Sequence, residues 1–102
     1  MKMTEISIEQ MRSNAGAAED LLKILANANR LMILCNLVDT ERSVGDLERL
    51  VGLSQSSLSQ HLAKLKRQGI LASRKDGTTV YYSLKSPQAL KVLELLYSIY
   101  CS

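Results

Sequence analysis

Hydrophobic residues recur along most of this chain at the spacing of α-helices rather than of strands. Residues 4–13 predict a short amphipathic helix with Ile6, Ile8 and Met11 as its apolar positions. Residues 15–26, AGAAEDLLKILA, are strong helix formers whose small side chains permit the close approach of a neighbour. We therefore expect two consecutive helices in the first quarter of the chain.

A third helix is predicted by the run RLMILCNLV (30–38), which Asn27 or Asn29 can cap. Its apolar stripe recurs at i, i+3 and i+7 and consists of Leu31, Leu34 and Val38. Cys35 comes one position after the middle of these residues, which puts it on or beside the stripe. We therefore expect the Cys35 thiol to be buried.

Capping residues and glycines in residues 43–69 predict a helix-turn-helix. Ser43 caps the first of its helices. The core positions of that helix are Val44, Leu47, Leu50 and Val51. Gly52 ends it, Ser54 caps the next helix and Gly69 ends that one. Two helices joined by a short turn that contains Gly are the pattern of this motif.

The remaining pattern predicts a β-hairpin followed by one more helix. The segments 70–75 (ILASRK) and 79–84 (TVYYSL) have the residues of short strands, and Asp76-Gly77 between them is a tight-turn signal, although the loop can be longer. Pro87 opens a helix over 87–100. The expected fold is mainly α with a small β-hairpin. It is a winged helix-turn-helix in the order α-α-α-α-α-β-β-α, forming one domain over residues 1–102.

The last predicted helix is apolar on nearly every side. Its apolar residues are Leu90, Val92, Leu93, Leu95, Leu96, Tyr97, Ile99 and Tyr100. Such a helix must be buried on more than one face. In a domain this small, one face can meet the core and another a second copy of the chain, so we expect a homodimer built on helices at both ends of the domain. The alternative is a single wide core face.

The second helix of the predicted motif, residues 54–68, has no acidic residue and a polar, basic exposed side. At about 100° per residue, Leu58, Leu62 and Leu65 face the core. Residues 54–85 are the basic part of a chain with net charge +3. Ser and Gln can contact base edges, whereas Lys and Arg neutralise phosphates. We therefore expect double-stranded DNA to contact Ser54, Gln55, Ser56, Ser57, Ser59, Gln60, His61, Lys64, Arg67, Arg74, Lys75 and Thr78.

The composition disfavours several other classes of protein. No apolar run approaches the roughly 18 residues of a membrane span, and the first residues are too polar for a signal peptide, so we expect a cytoplasmic protein. Two cysteines are too few for a disulfide scaffold. Paired carboxylates, a nearby Cys–His pair and a Gly-rich phosphate loop are all missing, which disfavours an enzyme. His61 lies at the edge of the exposed face without neighbouring metal ligands, so we expect no cofactor.

Three stretches resemble the ArsR/SmtB family of dimeric winged-helix repressors, across nearly the whole chain. They are ILANANRLMILCNL, SVGDLERLVGLSQSSLSQHLAKLKRQGIL and SRKDGTTVYYSL, of which LSQSSLSQHLAKL is the most specific part. The resemblance implies a homodimer that binds an imperfect inverted repeat in a promoter and loses affinity when an inducer binds or reacts. The metal-sensing Cys-x-Cys of the family is missing from SVGDLER, and its Asp and His are missing from the last helix.

The two cysteines resemble those of the redox- and persulfide-sensing branch of that family, the HlyU, BigR and SqrR type. This implies that Cys35 and Cys101 form a sensing pair, joined within one subunit by a disulfide or polysulfide bridge. Reactive sulfur species or oxidants would be the inducer. A bridge would alter the spacing of the two recognition helices, whose half-sites lie about 34 Å apart.

Two other functions stay open at this point. The chain can be a metal-responsive or constitutive repressor with incidental cysteines, since a buried Cys is often only a small hydrophobe. It can also be a protein-interaction module that uses the winged helix without DNA, although the basic residues 64–75 argue against this. A steep salt dependence of DNA binding would exclude it.

Overall fold

The computed structural model of the protein describes residues 6–101, which form helices and one small antiparallel sheet. The helices are α1 (Ile8–Leu25), α2 (Ala28–Cys35), α3 (Val44–Val51), α4 (Gln55–Arg67) and α5 (Pro87–Tyr100). The strands are β1 (Arg42–Ser43), β2 (Leu71–Asp76) and β3 (Thr79–Leu84). The mainly α winged helix-turn-helix that the sequence predicts is therefore confirmed.

Each helix begins at a side chain that accepts a hydrogen bond from a backbone N–H of the first turn. These capping residues are Ser7, Asn27, Ser43, Ser54 and Ser86. Pro87 occupies the first position of α5, as predicted. The helix starts in the described residues are thus set locally, because each cap satisfies an N–H that has no partner within its helix.

The two helices predicted for residues 4–13 and 15–26 are wrong in one respect, because residues 8–25 form the single helix α1. The expected boundary contains Ser13 and Asn14, which often favour caps and turns over helix interiors. Here the side chains of both donate to the Gln10 carbonyl oxygen, at 2.9 Å each, and the helix continues through them. Residues 4 and 5 of the first predicted helix lie outside the described residues.

The sheet has the strand order β1-β3-β2, and all its pairings are antiparallel. β1 was not predicted, because two residues, Arg42 and Ser43, carry no detectable strand pattern. The pairing of Asp76 with Thr79 leaves a loop of two residues. Gly77, the first of them, has φ 62°, as the first position of a type II′ hairpin turn requires. The longer loop that the sequence left open is therefore not found.

The core lies where the five helices and the base of the hairpin meet. Its buried residues are Leu25, Ile33, Leu34, Leu37, Leu47, Leu58, Leu62, Leu65, Ile70, Leu71, Ala89 and Leu93. Gly52 ends α3 with φ 77°, a left-handed conformation that side-chain-bearing residues rarely adopt. This turn sends the chain into α4 with its leucines toward the core and its polar side toward solvent.

The outer half of α5 is exposed in the protomer. Ala89 and Leu93 are buried, whereas Leu95, Tyr97, Ile99 and Tyr100 are 58–79% exposed. The single wide core face that the sequence allowed is therefore wrong for α5. Among residues 6–101, no helix is both long enough and apolar enough to cross a bilayer.

Candidate nucleic-acid interface and thiol pair

Four residues of α4 form an outward strip at a spacing of four, three and four positions. The strip consists of Ser56, Gln60, Ala63 and Arg67, and all four residues are exposed. It lies opposite Leu58, Leu62 and Leu65, which are at most 1% exposed. A helix of 13 residues is about 20 Å long. The strip therefore offers a hydroxyl and an amide near its start and a cation at its end.

The predicted contact residues beside the strip lie next to other elements. Gln55 and Ser59 line a cleft of about 560 Å³ together with Thr78 of the hairpin loop. Lys64 lines another cleft, of about 440 Å³, with Arg30 and the last turns of α1. The hairpin tip is therefore beside the first turns of α4, whereas Lys64 is on the side of α4 next to α1.

The remaining predicted residues of α4 and its cap are less free to contact DNA. Ser54 Oγ accepts from the Ser57 N–H at 3.2 Å and lies 3.5 Å from Ser56 Oγ, so its first role is to cap the helix. Ser57 is half-buried. His61 is also half-buried, in agreement with its predicted place at the edge of the exposed face.

Arg74 of the hairpin binds a partner within the chain. Its Nε donates to Glu41 Oε2 at 2.9 Å and Oε1 at 3.1 Å, its Nη2 also pairs with Oε1, and its guanidinium lies 4.6 Å from the Tyr81 ring centroid. The hydrogen bonds from Arg74 lower the pKa of Glu41. Any phosphate contact by Arg74 must therefore share or replace Glu41. Lys75 is the next residue of the strand, so its side chain points to the opposite face of the hairpin.

Cys35 is exposed in the protomer, so the prediction that it is buried is wrong. The buried face of this region is formed by Ile33, Leu34 and Leu37 rather than by the predicted stripe, in which only Leu34 is fully buried. At about 100° per residue, Cys35 is roughly 150° around the helix from the middle of that face. It is also the last residue of α2, which ends three positions earlier than expected.

The two cysteines lie near the same residue of α5, since Cys35 and Tyr97 line one cleft and Cys101 follows Tyr97 by one helical turn. Cys101 caps the end of α5, and its backbone N–H donates to the Tyr97 carbonyl oxygen. Partial burial raises the pKa of the Cys35 thiol, and the negative charge of a Cys101 thiolate raises it further. Cys35 also lines a cleft of about 440 Å³ whose opposite side is α5. Packing of α2 against α5 therefore puts both cysteines on the same side of the domain, and both thiols are free.

Metal ligands are not grouped in the part of the chain that the structure describes. Among residues 6–101, no three His, Cys, Asp or Glu side chains are close enough together to hold an ion. Sequence reasoning missed Glu41, which is 33 positions from its partner Arg74 and has no local signal of its own. It also missed Asp39 and Glu94, which line the cleft beside Cys35.

A helix-turn-helix with a β-hairpin beside its exposed second helix defines the class of winged-helix DNA-binding regulators. Residues 27–73 match the family described as "Bacterial regulatory protein, arsR family". The chain is 46% identical over 101 residues to the transcriptional activator HlyU of Vibrio cholerae, covering 99% of this chain and 94% of that protein. It belongs to the ArsR family, and it is a DNA-binding transcriptional regulator.

Solved structures give the same result. Reduced HlyU from Vibrio cholerae has a TM-score of 0.86 at 47% identity, covering 93% of this chain and 100% of that one. The transcriptional repressor BigR from Xylella fastidiosa has a TM-score of 0.90 at 37% identity, covering 95% and 99%. The similarity therefore extends over the terminal helices as well as the helix-turn-helix.

Proposed function

We propose that the protein is a homodimeric regulator that binds an imperfect inverted repeat in promoter DNA and is switched by its two cysteines. Oxidation or persulfidation would join Cys35 and Cys101 by a disulfide or polysulfide bridge and lower the affinity for the operator. The observation that carries this proposal is the position of Cys35 at the α2–α5 cleft that Tyr97 lines, one turn before Cys101, in a chain that belongs to the ArsR family.

The polar side of α4 supports major-groove binding. The outward strip offers Ser56 and Gln60 to base edges and Arg67 to a phosphate, and no acidic residue of α4 opposes them. The hairpin tip beside the first turns of α4 supports a contact of Thr78 with the DNA backbone, and Lys75 is an exposed cation of the same hairpin. The other predicted contacts, Gln55, Ser59, Lys64 and Arg74, would act from the flanks.

The exposed apolar residues of the terminal helices support a dimer. They are Ile8, Met11 and Leu22 on α1 and Leu95, Tyr97, Ile99 and Tyr100 on α5. When a second copy of the chain covers this surface, its apolar area is removed from water, which favours association. A dimer with two-fold symmetry presents two α4 helices, and this arrangement requires two half-sites about one helical turn of DNA apart.

Half-site spacing tests the dimeric DNA complex. An operator is first selected from random duplexes with the reduced protein, and its affinity is measured by fluorescence anisotropy. Insertion of about half a helical turn between the half-sites puts them on opposite sides of the duplex. We expect the half-turn insertion to lower the affinity toward that for unrelated DNA. A full-turn insertion should preserve part of the affinity for the operator. Equal affinity for all three duplexes would contradict binding by a rigid dimer.

Operator affinity before and after treatment with a persulfide donor, and separately with peroxide, tests the switch. We expect the wild type to lose affinity and to regain it after reduction with dithiothreitol. Cys35→Ser and Cys101→Ser should bind as tightly as the reduced wild type under every condition. Loss of affinity in both variants would mean that the reagents act elsewhere in the chain. Unchanged affinity of the wild type would leave a constitutive ArsR-type repressor with incidental cysteines.

A further inference from the structure

The cleft beside Cys35 has walls of two kinds. Val38, Leu93 and the Tyr97 ring supply apolar surface from α5 and from the segment after α2. Asp39 and Glu94 supply carboxylates, one from each side of the cleft. Its volume of about 440 Å³ is enough for a small organic molecule. A reagent that approaches Cys35 through this cleft therefore meets both apolar surface and negative charge.

The charge of the cleft is opposite to that of the whole chain. The net charge of the protein is +3, yet among residues 6–101 no Lys, Arg or His lines this cleft. Arg42 lies in the same region, but its Nε donates to the Asn36 carbonyl oxygen at 2.8 Å, and it is not part of the cleft wall. Asp39 and Glu94 are both exposed. Within one protomer, their field therefore acts on a reagent in the cleft without a balancing cation in the wall.

We infer that Asp39 and Glu94 make Cys35 selective for sulfur reagents that carry no net negative charge. The class comprises small neutral or cationic disulfides, and anionic disulfides are repelled. This inference rests on the proposed role of Cys35 as the reacting thiol. It adds a specificity that neither cysteine supplies alone, because a thiolate attacks reagents of any charge by the same chemistry.

With a disulfide R–S–S–R the reaction balances without any further oxidant. The Cys35 thiolate attacks one sulfur and forms the mixed disulfide Cys35–S–S–R, while R–S⁻ leaves with the electrons of the broken S–S bond. The Cys101 thiolate then attacks the Cys35 sulfur and expels the second R–S⁻. The two protein thiols are oxidised to one disulfide, and R–S–S–R is reduced to two thiols.

The test uses three disulfides of similar length that differ in charge. These are cystamine (cationic), 2-hydroxyethyl disulfide (neutral) and dithiodiglycolate (anionic). The protein carries Cys101→Ser, so the reaction stops at the mixed disulfide, and intact mass follows its formation over time. Each rate is divided by that of an uncharged thiol, 3-mercapto-1-propanol, with the same reagent, which corrects for the reactivity of the reagent. The cation-to-anion ratio is then independent of how much of Cys35 is ionised.

We expect the corrected cation-to-anion ratio to be about tenfold at low ionic strength, as for unit charges a few ångströms apart across a water-filled cleft. It should fall toward one in 1 M salt. Asp39→Asn with Glu94→Gln should bring it within about twofold of one, and each single substitution should have part of the effect. Glu9→Gln with Glu19→Gln removes two charges from α1 instead and should leave the ratio unchanged.

A ratio near or below one in the parent protein would overturn the inference, as would a ratio that the Asp39 and Glu94 substitutions leave unchanged. These rates are measured without DNA. If the ratio is as expected but bridged protein binds its operator like reduced protein, the selectivity stands and the proposed switch fails. If bridging lowers operator affinity but the ratio is near one, the switch stands and the selectivity fails.

Discussion

Arg67 is the residue by which the DNA-binding surface can be tested quantitatively. It ends the outward strip of α4, is exposed, and is expected to neutralise one phosphate per protomer. Each phosphate contact contributes about 0.9 to the slope of log affinity against log salt concentration. Because a dimer has two copies, Arg67→Ala should reduce that slope by about 1.8. The advantage of the wild type should therefore shrink by about tenfold between roughly 50 and 200 mM salt.

Fluorescence anisotropy with a labelled operator duplex measures both slopes over this range. Lys66→Ala is the matched control, since Lys66 is the adjacent residue with the same charge and is also exposed. It is turned by about 100° from Arg67 around the helix, and we expect its slope to stay within about 0.5 of the wild type. Equal slopes for the wild type and the Arg67 variant would refute the assignment of the strip to DNA. So would a larger effect of Lys66→Ala.

Three further predictions concern the core, the thiols and the dimer. Leu62→Ala should lower the free energy of unfolding by about 3 kcal/mol in urea titrations, because Leu62 is 1% exposed and the change leaves a cavity. A decrease in that free energy of less than about 1 kcal/mol would contradict this. Cys101→Ser should lower the pKa of Cys35, because it removes one of the two causes that raise it. The midpoint of the pH dependence of Cys35 alkylation by iodoacetamide should therefore move to lower pH. An unchanged midpoint would mean that the thiols do not interact. Leu95→Glu with Tyr100→Glu should produce monomers in sedimentation analysis with unchanged helix content, and a stable dimer would place the interface elsewhere.

Much of the fold could be predicted because its signals are local. Ser54 and Gly52 mark the ends of the helix-turn-helix helices through capping and a positive φ, and each effect acts within one turn. Asp76-Gly77 marks the hairpin for the same reason. The single helix α1 was missed because the side chains of Ser13 and Asn14 donate hydrogen bonds to a carbonyl oxygen of the same helix instead of ending the helix.

The candidate site was harder to predict because it depends on contacts between distant segments. The pair of Glu41 and Arg74 joins the loop before β1 to the hairpin, and no spacing in the sequence predicts it. Cys35 was expected in the core because a stripe of apolar residues in a short helix does not determine which side of that helix faces the core. Packing of α2 on the other helices sets that rotation and leaves the thiol at the surface, next to α5.

Placement of the thiols at the α2–α5 contact connects them to the proposed dimer helix. Cys101 ends the helix whose outer residues Leu95, Tyr97, Ile99 and Tyr100 are exposed in the protomer. A covalent bridge from Cys35 would restrain the end of α5 and, through it, the orientation of the two protomers. Because both α4 helices must fit half-sites on one side of the DNA, a change in that orientation would cost affinity.

Intact mass and operator affinity measured on one sample, before and after a persulfide donor, test the central claim most directly. We predict that the treated protein has the mass of a single subunit that has lost two hydrogens and gained whole sulfur atoms. Proteolysis should yield one peptide pair linked through Cys35 and Cys101, and the affinity should fall in proportion to the bridged fraction. A fully bridged sample that binds the operator as tightly as the reduced protein would contradict the account.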